Sequence, residues 1–582
     1  MRRSWPSILL AAVIVQIPFE LRHEVLGLSN LQWTFVALVV VSAPVLIKKW
    51  KVIIRERAVQ AAAVFVIIQW LTALFAPEFH TNAIKGAVRF SAGFLLFVIA
   101  AGRGWGGVGQ KIESFDQHHP GASRPSSLEA SPCRARASRS AEEGRCLRLV
   151  WTVASAAAAL YALLAYAGLG FPSLFRTEEF YIGQVQRLSG SFEYPNTAAA
   201  YFAMSLPIVW WSGFRPLLKW AMAFFLWAAL VLTFSRGALI AVPVALTICI
   251  LLTPSRAVKW RPVAALLAIG LASYVILIPV NPYWIHRLYG PDVHDPLAAE
   301  YKTDWNHLEQ QPSSADEIRV QVRNVGIRTW RAHGPWRSAV GYRWWNIASE
   351  TFLPANSGII TELPHDVSRG ETVDVTAPFR TPAEPGRYLL VIELFGGDHD
   401  WFSRMRVIPA LVEVEVQPGL DRSANEIDAS AFYHRRQMPH VFTVSVSRRD
   451  LWRASVKMIL EHPFGVGPDN YRLLYGKYIG ATRWDTHVYS NNLFLEILTG
   501  SGLLGLAAFI WFLIAIHWRL DGESISIAIF LIHGLVDVFL MTTPIYFGFW
   551  LLVGNHRQRS ASAIARSLNR RSASAIARSL EN

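Results

Sequence analysis

Apolar residues in this chain arrive in runs of roughly sixteen to twenty-odd, separated by short polar or basic connections. Runs of that length span a hydrocarbon layer as helices, so the pattern predicts about twelve crossings. They fall near 5–19, 31–47, 58–75, 83–101, 149–168, 196–213, 217–234, 237–253, 262–280, 491–517, 525–541 and 542–554. Met1-Arg2-Arg3 before the first run has the look of a signal peptide. No small-residue cleavage site precedes Glu20-Leu21-Arg22, which predicts a retained helix.

Between the ninth and tenth runs the period changes. EIRVQVRNVG, AVGYRWWNIA, ETVDVTAPFRTP, GRYLLVIELF and ALVEVEVQP are strand-like stretches broken by Gly, Pro, Asn and Asp. They predict a β-sandwich over 313–417 of immunoglobulin or fibronectin type, with Trp330, Trp344 and Trp401 as interior candidates. Filling the core is the plainer role for such tryptophans; stacking on sugar rings is the alternative. Residues 449–461 then carry Leu451, Trp452, Val456, Ile459 and Leu460 at helical spacing, an amphipathic helix lying on the membrane surface or on the spans.

Composition agrees with this division. At 582 residues, 52% hydrophobic and only 17% charged, the chain is too apolar for a soluble domain of its length. The expected organisation is helices 1–4 over 1–101, a disordered basic loop 102–148, helices 5–9 over 149–280, an external segment 281–490 holding the sandwich and a helix plus glycine-rich turn at 449–490, helices 10–12 over 491–554, and a basic tail 555–582. In that tail RSASAIARSL occurs twice, at 559–568 and 571–580, too short a repeat for a solenoid.

Net charge is +14, which raises nucleic acid as a partner. The cations are better explained by orientation. Arg2, Arg3, Lys48, Lys49, Lys51, Arg55, Arg57, the 102–148 loop, Arg215, Lys219, Arg256, Lys259, Arg261, Arg519, Arg557 and Arg559 all fall on one side if the runs alternate across a membrane. Both termini are then cytoplasmic, the external segment faces out, and membrane lipids rather than nucleic acid are the partner. Cys133, Cys146 and Cys249 show no disulfide or metal-ligand spacing, and no metal or cofactor is expected.

Three polar clusters then share the outward side. The first is Arg187 to Asn196, reading RLSGSFEYPN, where Pro195 and Asn196 also suit a helix start. The second is Arg236 in the Ser235-Arg236-Gly237 turn, where an arginine gains nothing from the orientation rule and either snorkels to headgroups or binds an anion. The third runs from His462 through the HPFGVGPDN turn with Asp469 to His487, Asn491 and Asn492. Arginines beside carboxylates and histidines suit a diphosphate, because bidentate guanidinium contacts hold oxyanions and stabilise a departing phosphate. Arg89 and Asp537, near the same ends of their runs, are further binding candidates.

At these residues the chain resembles the O-antigen ligase and polymerase superfamily, multi-span bacterial glycosyltransferases related to the GT-C class. The resembling stretches are RLSGSFEYPNTAAAYFAMSLP (187–207), LTFSRGALIA (232–241), HPFGVGPDNY (462–471) and SNNLFLEILTGSGLLGL (490–506). The resemblance implies an α-helical polytopic inner-membrane protein that moves a glycan from undecaprenyl diphosphate, without a metal, to a sugar hydroxyl of a lipid A core or similar acceptor. Polymerisation of lipid-linked repeats and transfer to pilin-like proteins occur in the same superfamily.

The resemblance implies Arg187 and Arg236 as diphosphate ligands, with the glycine-rich turn and the SNN segment positioning the acceptor. The expected binding set is Arg187, Arg236, Asn196, His462, Asn492, Arg89 and Asp537. One departure stands out. Ligases carry a histidine, then Asn, Ser or Gln, then nine residues and G-x-x-G; here Asn492, Gly502 and Gly505 keep the spacing while Asn491 occupies the histidine position. An amide is no general base. His487, Glu193 or Asp469 replaces it, or catalysis rests on orienting the hydroxyl, with Asn491 among the catalytic candidates.

A transporter of lipid-linked glycans is the rival from another class, but no repeated halves are visible and His533 is the one candidate near the middle of a run. A receptor reading lacks an output domain.

Overall fold

The computed structural model describes residues 5–102, 130–171, 174–175, 180–182, 185–251, 260–277, 298–326, 329–334, 337–353, 361–396, 400–405, 407–419, 423–426, 447–480, 484, 486–516, 518 and 521–556. The repeat-bearing tail beyond 556 and most of the 102–148 loop lie outside them.

A helix occupies each apolar run: α1 Trp5–Gln16, α2 Asn30–Ile53, α3 Arg57–Leu74, α4 His80–Gly102, α5 Ala130–Leu164, α6 Pro195–Trp210, α7 Pro216–Leu232, α8 Arg236–Leu251, α9 Trp260–Leu277, and, after the external strands, α10 Arg448–Glu461, α11 Tyr471–Ile479, α12 Leu493–Ala515, α13 Gly522–His533 and α14 over 543–556. Of the described helices, Asn30–Ile53, Arg57–Leu74, His80–Gly102, Gly144–Leu169 and Leu493–Ala515 are long and apolar enough to cross a membrane. The shorter ones are apolar too, and the set shares one interior of tightly interlocked aromatic and aliphatic side chains. The chain is a membrane protein. Many of the remaining large apolar side chains point outward, as they do where the solvent is lipid, including Leu251 and Leu271 at 77% and 65% exposure.

Local chemistry sets the helix ends. Ser29 accepts from the amide of Gln32 and the Gln32 side chain from that of Ser29, a capping box that starts α2. Pro195 sits in the first turn of α6, where its missing amide costs nothing. Two expectations are corrected. Helix α5 begins at Ala130, so the last part of the expected disordered loop is helical. The eleventh run ends as a helix at His533 rather than 541, because Gly534, Asp537 and Val538 turn the chain before α14; Asp537 therefore lies in a loop, and His533 closes a helix instead of standing at its middle.

A short hairpin precedes α6, formed by β1 Phe180–Ile182 and β2 Val185–Arg187. The described strands of the 281–490 segment are β3 Ala299–Thr303, β4 Trp305–Gln310, β5 Ala315–Asn324, β6 Ala339–Asn346, β7 Thr351–Phe352, β8 Thr361–Glu362, β9 Thr372–Arg380, β10 Gly386–Gly396, β11 Asp400–Trp401, β12 Ala410–Val416 and β13 Ser423–Glu426. One sheet runs β3-β5-β9 and the other β13-β4-β12-β10-β6-β7, and the inward residues of both form one core around Trp330, Trp344, Tyr301 and Tyr388. Strict alternation of buried and exposed positions along β9 shows a sheet with one face inward.

The sandwich is wider than 313–417. The polar runs AEYKT and WNHLEQ form β3 and β4, and β4 pairs parallel with β12. Trp330 and Trp344 fill the core, as the plainer reading has it. Trp401 is half-buried and stacks, with Phe352, on the guanidinium of Arg343, 4.7 and 4.2 Å from the ring centres. Arg343 also pairs with the fully buried Glu393, whose second oxygen accepts from the Ser403 amide at 2.7 Å.

Candidate active-site cleft

Residue pairings around the N-terminus of α6 build the site. Strand β2 ends at Arg187, and Leu188 continues it by donating to the carbonyl of Leu232 at the end of α7. This ties the arginine to the α7–α8 turn. Its Nε donates to the carbonyl of Thr233 at 2.9 Å and its Nη2 to Asn196 Oδ1 at 2.7 Å. Asn196 Nδ2 in turn donates to Asp537 Oδ2 at 2.8 Å, and Asp537 Oδ1 accepts from the Val538 amide at 2.9 Å. A guanidinium and an amide nine residues apart and a carboxylate from a distant part of the chain thus form one relay. Its effect is to hold Arg187 in one orientation.

This relay lies in the wall of a cleft of about 540 Å³. Arg89, Arg187, Glu193, Asn196, His487, Asn491 and Asp537 all line it, so seven of the sequence candidates converge. Glu193 and His487 are exposed, within reach of a ligand, while Arg89 and Arg187 are half-buried. Arg89 stands on the fourth helix about 14 Å from its start at 1.5 Å per residue, and its Nη1 lies 3.2 Å from the Met541 sulfur.

Arg236, Asp469, His462 and Asn492 are not among the residues lining the cleft. Arg236 opens α8, after a turn in which Phe234 takes a left-handed φ of 56°. Asp469 is buried and engaged by Arg472, with Nε and Nη2 of the guanidinium at 3.1 and 3.0 Å from its two oxygens. Arg472 Nη2 also donates to Asn82 Oδ1 at 2.8 Å, and Asn82 donates to the carbonyl of Asp469 at 3.0 Å. Both carboxylate oxygens are thus turned to the guanidinium rather than to the cleft. Asn492 caps α12, accepting at 3.0 Å from the amides of Phe494 and Leu495, and donates to the Leu535 carbonyl at 2.9 Å. His462 is the half-buried cap at the end of α10.

The glycine-rich turn that follows His462 instead packs on a break in α12. Gly502 takes φ 66° and ψ −172°, which opens the helical ladder. Val466 and Gly467 donate to the carbonyls of Thr499 and Gly500 at 2.8 and 2.9 Å, and the Leu503 amide donates to the Pro463 carbonyl at 3.3 Å. The glycine-rich turn thus satisfies the groups that the break exposes. A Cβ on Gly465 would lie 2.6 Å from the Gly500 carbonyl oxygen. Asn491, with φ 52°, directly precedes the cap residue Asn492.

Sequence reasoning missed Glu20, Gln32 and Tyr489, which also line the cleft. Glu20 accepts from Ser29 Oγ at 2.5 Å, so the first connection supplies a wall. Burial pushes the Tyr489 phenol up, leaving a neutral hydroxyl at physiological pH. Tyr489 adjoins the SNN motif and Glu20 and Gln32 lie far from any motif, and none of the three has a spacing that marks it.

The arginines, carboxylates and imidazole of this cleft thus stand together in the apolar helix bundle of a membrane protein. The model of the O-antigen ligase family matches residues 221–367 and 410–510, which supports the O-antigen ligase superfamily for this chain. The matched residues include Arg236, Asp469, His487, Asn491 and Asn492; Arg89, Arg187, Glu193 and Asp537 lie outside them. No curated protein matches the chain. Among solved structures, Pseudomonas fluorescens alkylpurine DNA glycosylase AlkC bound to DNA containing an abasic site analog aligns at 10% identity over 61% of this chain and 97% of its own, with a TM-score of 0.14, too low for a shared fold.

Proposed function

We propose that the protein transfers a glycan from undecaprenyl diphosphate to an acceptor sugar hydroxyl at the outer face of the bacterial cytoplasmic membrane. The observation that carries this reading is the cleft in which Arg89 and Arg187 face Glu193, His487 and Asn491. Family membership supports glycosyl transfer in general.

In this reading the donor diphosphate lies against Arg187 and Arg89. The acceptor oxygen bonds to the anomeric carbon as the bond from that carbon to the diphosphate breaks. The electron pair leaves on undecaprenyl diphosphate, whose growing charge the guanidinia stabilise. The acceptor proton passes to His487 or Glu193, the exposed bases of the cleft, while Asn491 orients the hydroxyl as an amide can. Asn196 and Asp537 position Arg187 rather than meeting the substrate. His462, which leads into the glycine-rich turn, and Asn492, which caps α12, support the cleft from behind.

Because arginines supply the positive charge, the reaction needs no metal, and activity should survive chelation. Asn491 at the ligase histidine position favours a second subclass, a polymerase of lipid-linked repeats or a protein O-oligosaccharyltransferase. Deleting the gene and identifying which lipid-linked glycan accumulates, and which glycoconjugate disappears, separates these. Unchanged glycoconjugates in the deletion strain would exclude all of them.

A further inference from the structure

Helix α10 has two apolar faces. Leu451, Ala454, Ser455 and Met458 are buried against α11, with Tyr471 donating its hydroxyl to the Leu451 carbonyl at 2.8 Å. On the opposite side Trp452, Val456 and Leu460 form a stripe at i, i+4, i+8 that is 36%, 50% and 78% exposed. A helix that already has a core face does not need a second one in water.

The surroundings of that stripe indicate what covers it. At its end Phe464 is 73% exposed and lies against Gly502 in the break of α12, next to Leu503 and Leu504, each 60% exposed on a helix long and apolar enough to cross a membrane. The stripe therefore runs on into a lipid-facing surface. Arg449, Arg453 and Lys457 line its edge along one side of α10. Lys457 is fixed by donating to the Tyr478 carbonyl at 3.0 Å, and Arg453 lies 3.5 Å from Asp450. An apolar stripe with a basic border matches a bilayer interface: the acyl boundary takes the one and anionic headgroups take the other.

We propose that α10 is an interfacial helix seated in the bilayer surface, with Trp452, Val456, Leu460 and Phe464 in the acyl boundary and Arg449, Arg453 and Lys457 on anionic phospholipid headgroups. Because the glycine-rich turn follows α10 directly and fills the α12 break, this seat also anchors the brace of the cleft. The inference rests on exposure and charge and is independent of the glycosyl-transfer reading.

The test uses the full-length protein, with Cys133, Cys146 and Cys249 replaced by serine, in nanodiscs of phosphatidylcholine with or without phosphatidylglycerol. An environment-sensitive fluorophore is attached to Val456→Cys or Leu460→Cys, and to Glu461→Cys on the exposed acidic edge as control. Brominated lipids should quench the first two at least about threefold more than the third, and phosphatidylglycerol should increase that quenching. The Arg449→Glu/Arg453→Glu variant should lose the phosphatidylglycerol effect while keeping its thermal midpoint. Equal access of aqueous iodide to all three labels would overturn the proposal. So would shielding that vanishes when each disc holds a single protein, since a second copy would then be the occupant.

Discussion

The amide of Gly467 donates to the carbonyl of Gly500 at 2.9 Å, joining the glycine-rich turn to the break in α12. The pairing explains why two glycine motifs well separated along the chain accompany each other: one supplies donors for acceptors that the other exposes. Gly467 takes φ 96° and Gly502 φ 66°, and a Cβ on Gly502 would lie 2.5 Å from the Phe464 carbonyl carbon. Gly502→Ala should therefore cost about 1–3 kcal/mol or more, since left-handed strain and a backbone clash add. The check is the thermal midpoint in detergent. Leu504→Ala, on the lipid-facing surface of the same helix, serves as the control and should shift it little.

Arg187 is held by Thr233 and Asn196 at once, a geometry that lysine lacks. Arg187→Ala and Arg187→Lys should both lower glycan transfer by roughly 100-fold or more while the protein remains inserted, if loss of one charge-stabilising group costs about 2.7–4 kcal/mol. In-membrane transfer assays on matched protein levels measure this. Full activity in both variants would remove the diphosphate assignment.

Asp537 reaches Arg187 by hydrogen bonds through Asn196. Asp537→Ala should therefore reduce transfer less than Arg187→Ala, and the two changes together should fall well short of additive, because both act on the placement of one guanidinium. A double-mutant cycle on initial rates decides it. Independent, additive effects would mean that Asp537 meets the substrate itself.

Among exposed groups of the cleft, His487 and Glu193 compete for the acceptor proton. If His487 is the base, His487→Ala should lower the rate about 100-fold and remove the acidic limb of the pH profile, whereas Glu193→Gln should leave that limb intact. The reverse pattern assigns the role to Glu193. Unchanged profiles in both variants favour orientation by Asn491 alone.

In the sandwich, burial pushes the Glu393 carboxyl above its usual range although Arg343 opposes the shift. The folded domain therefore holds the proton more tightly than the unfolded chain, and stability falls as pH rises from the ordinary carboxylate range through the raised value. Glu393→Gln should flatten that slope. Glu393→Ala, which leaves Arg343 half-buried with its partner removed, should cost about 3–5 kcal/mol. Urea melts at several pH values report both.

The apolar runs by themselves determined where helices form, because hydrophobic length is a local property, and period-2 runs likewise marked the core strands β5, β6, β9, β10 and β12. Polar β3 and β4 escaped notice, since their strand state depends on pairing with β5 and β12 rather than on their own pattern. In the cleft, Arg187 and Glu193 were legible from charge placed where orientation gives it no purpose, and Asn196, His487 and Asn491 from the polar motifs around them. Which of them share a cavity was decided only by tertiary structure. Asp469 reads like a base in the sequence, yet Arg472 engages it; Asn492 reads like a ligand, yet it caps α12; Glu20 and Tyr489 carry no motif, yet they stand in the wall. Sequence spacing fixes which side chains are present near a helix end, whereas their partners, close in sequence for Asp469 and hundreds of residues away for Asn196, fix which of them remain turned toward a substrate.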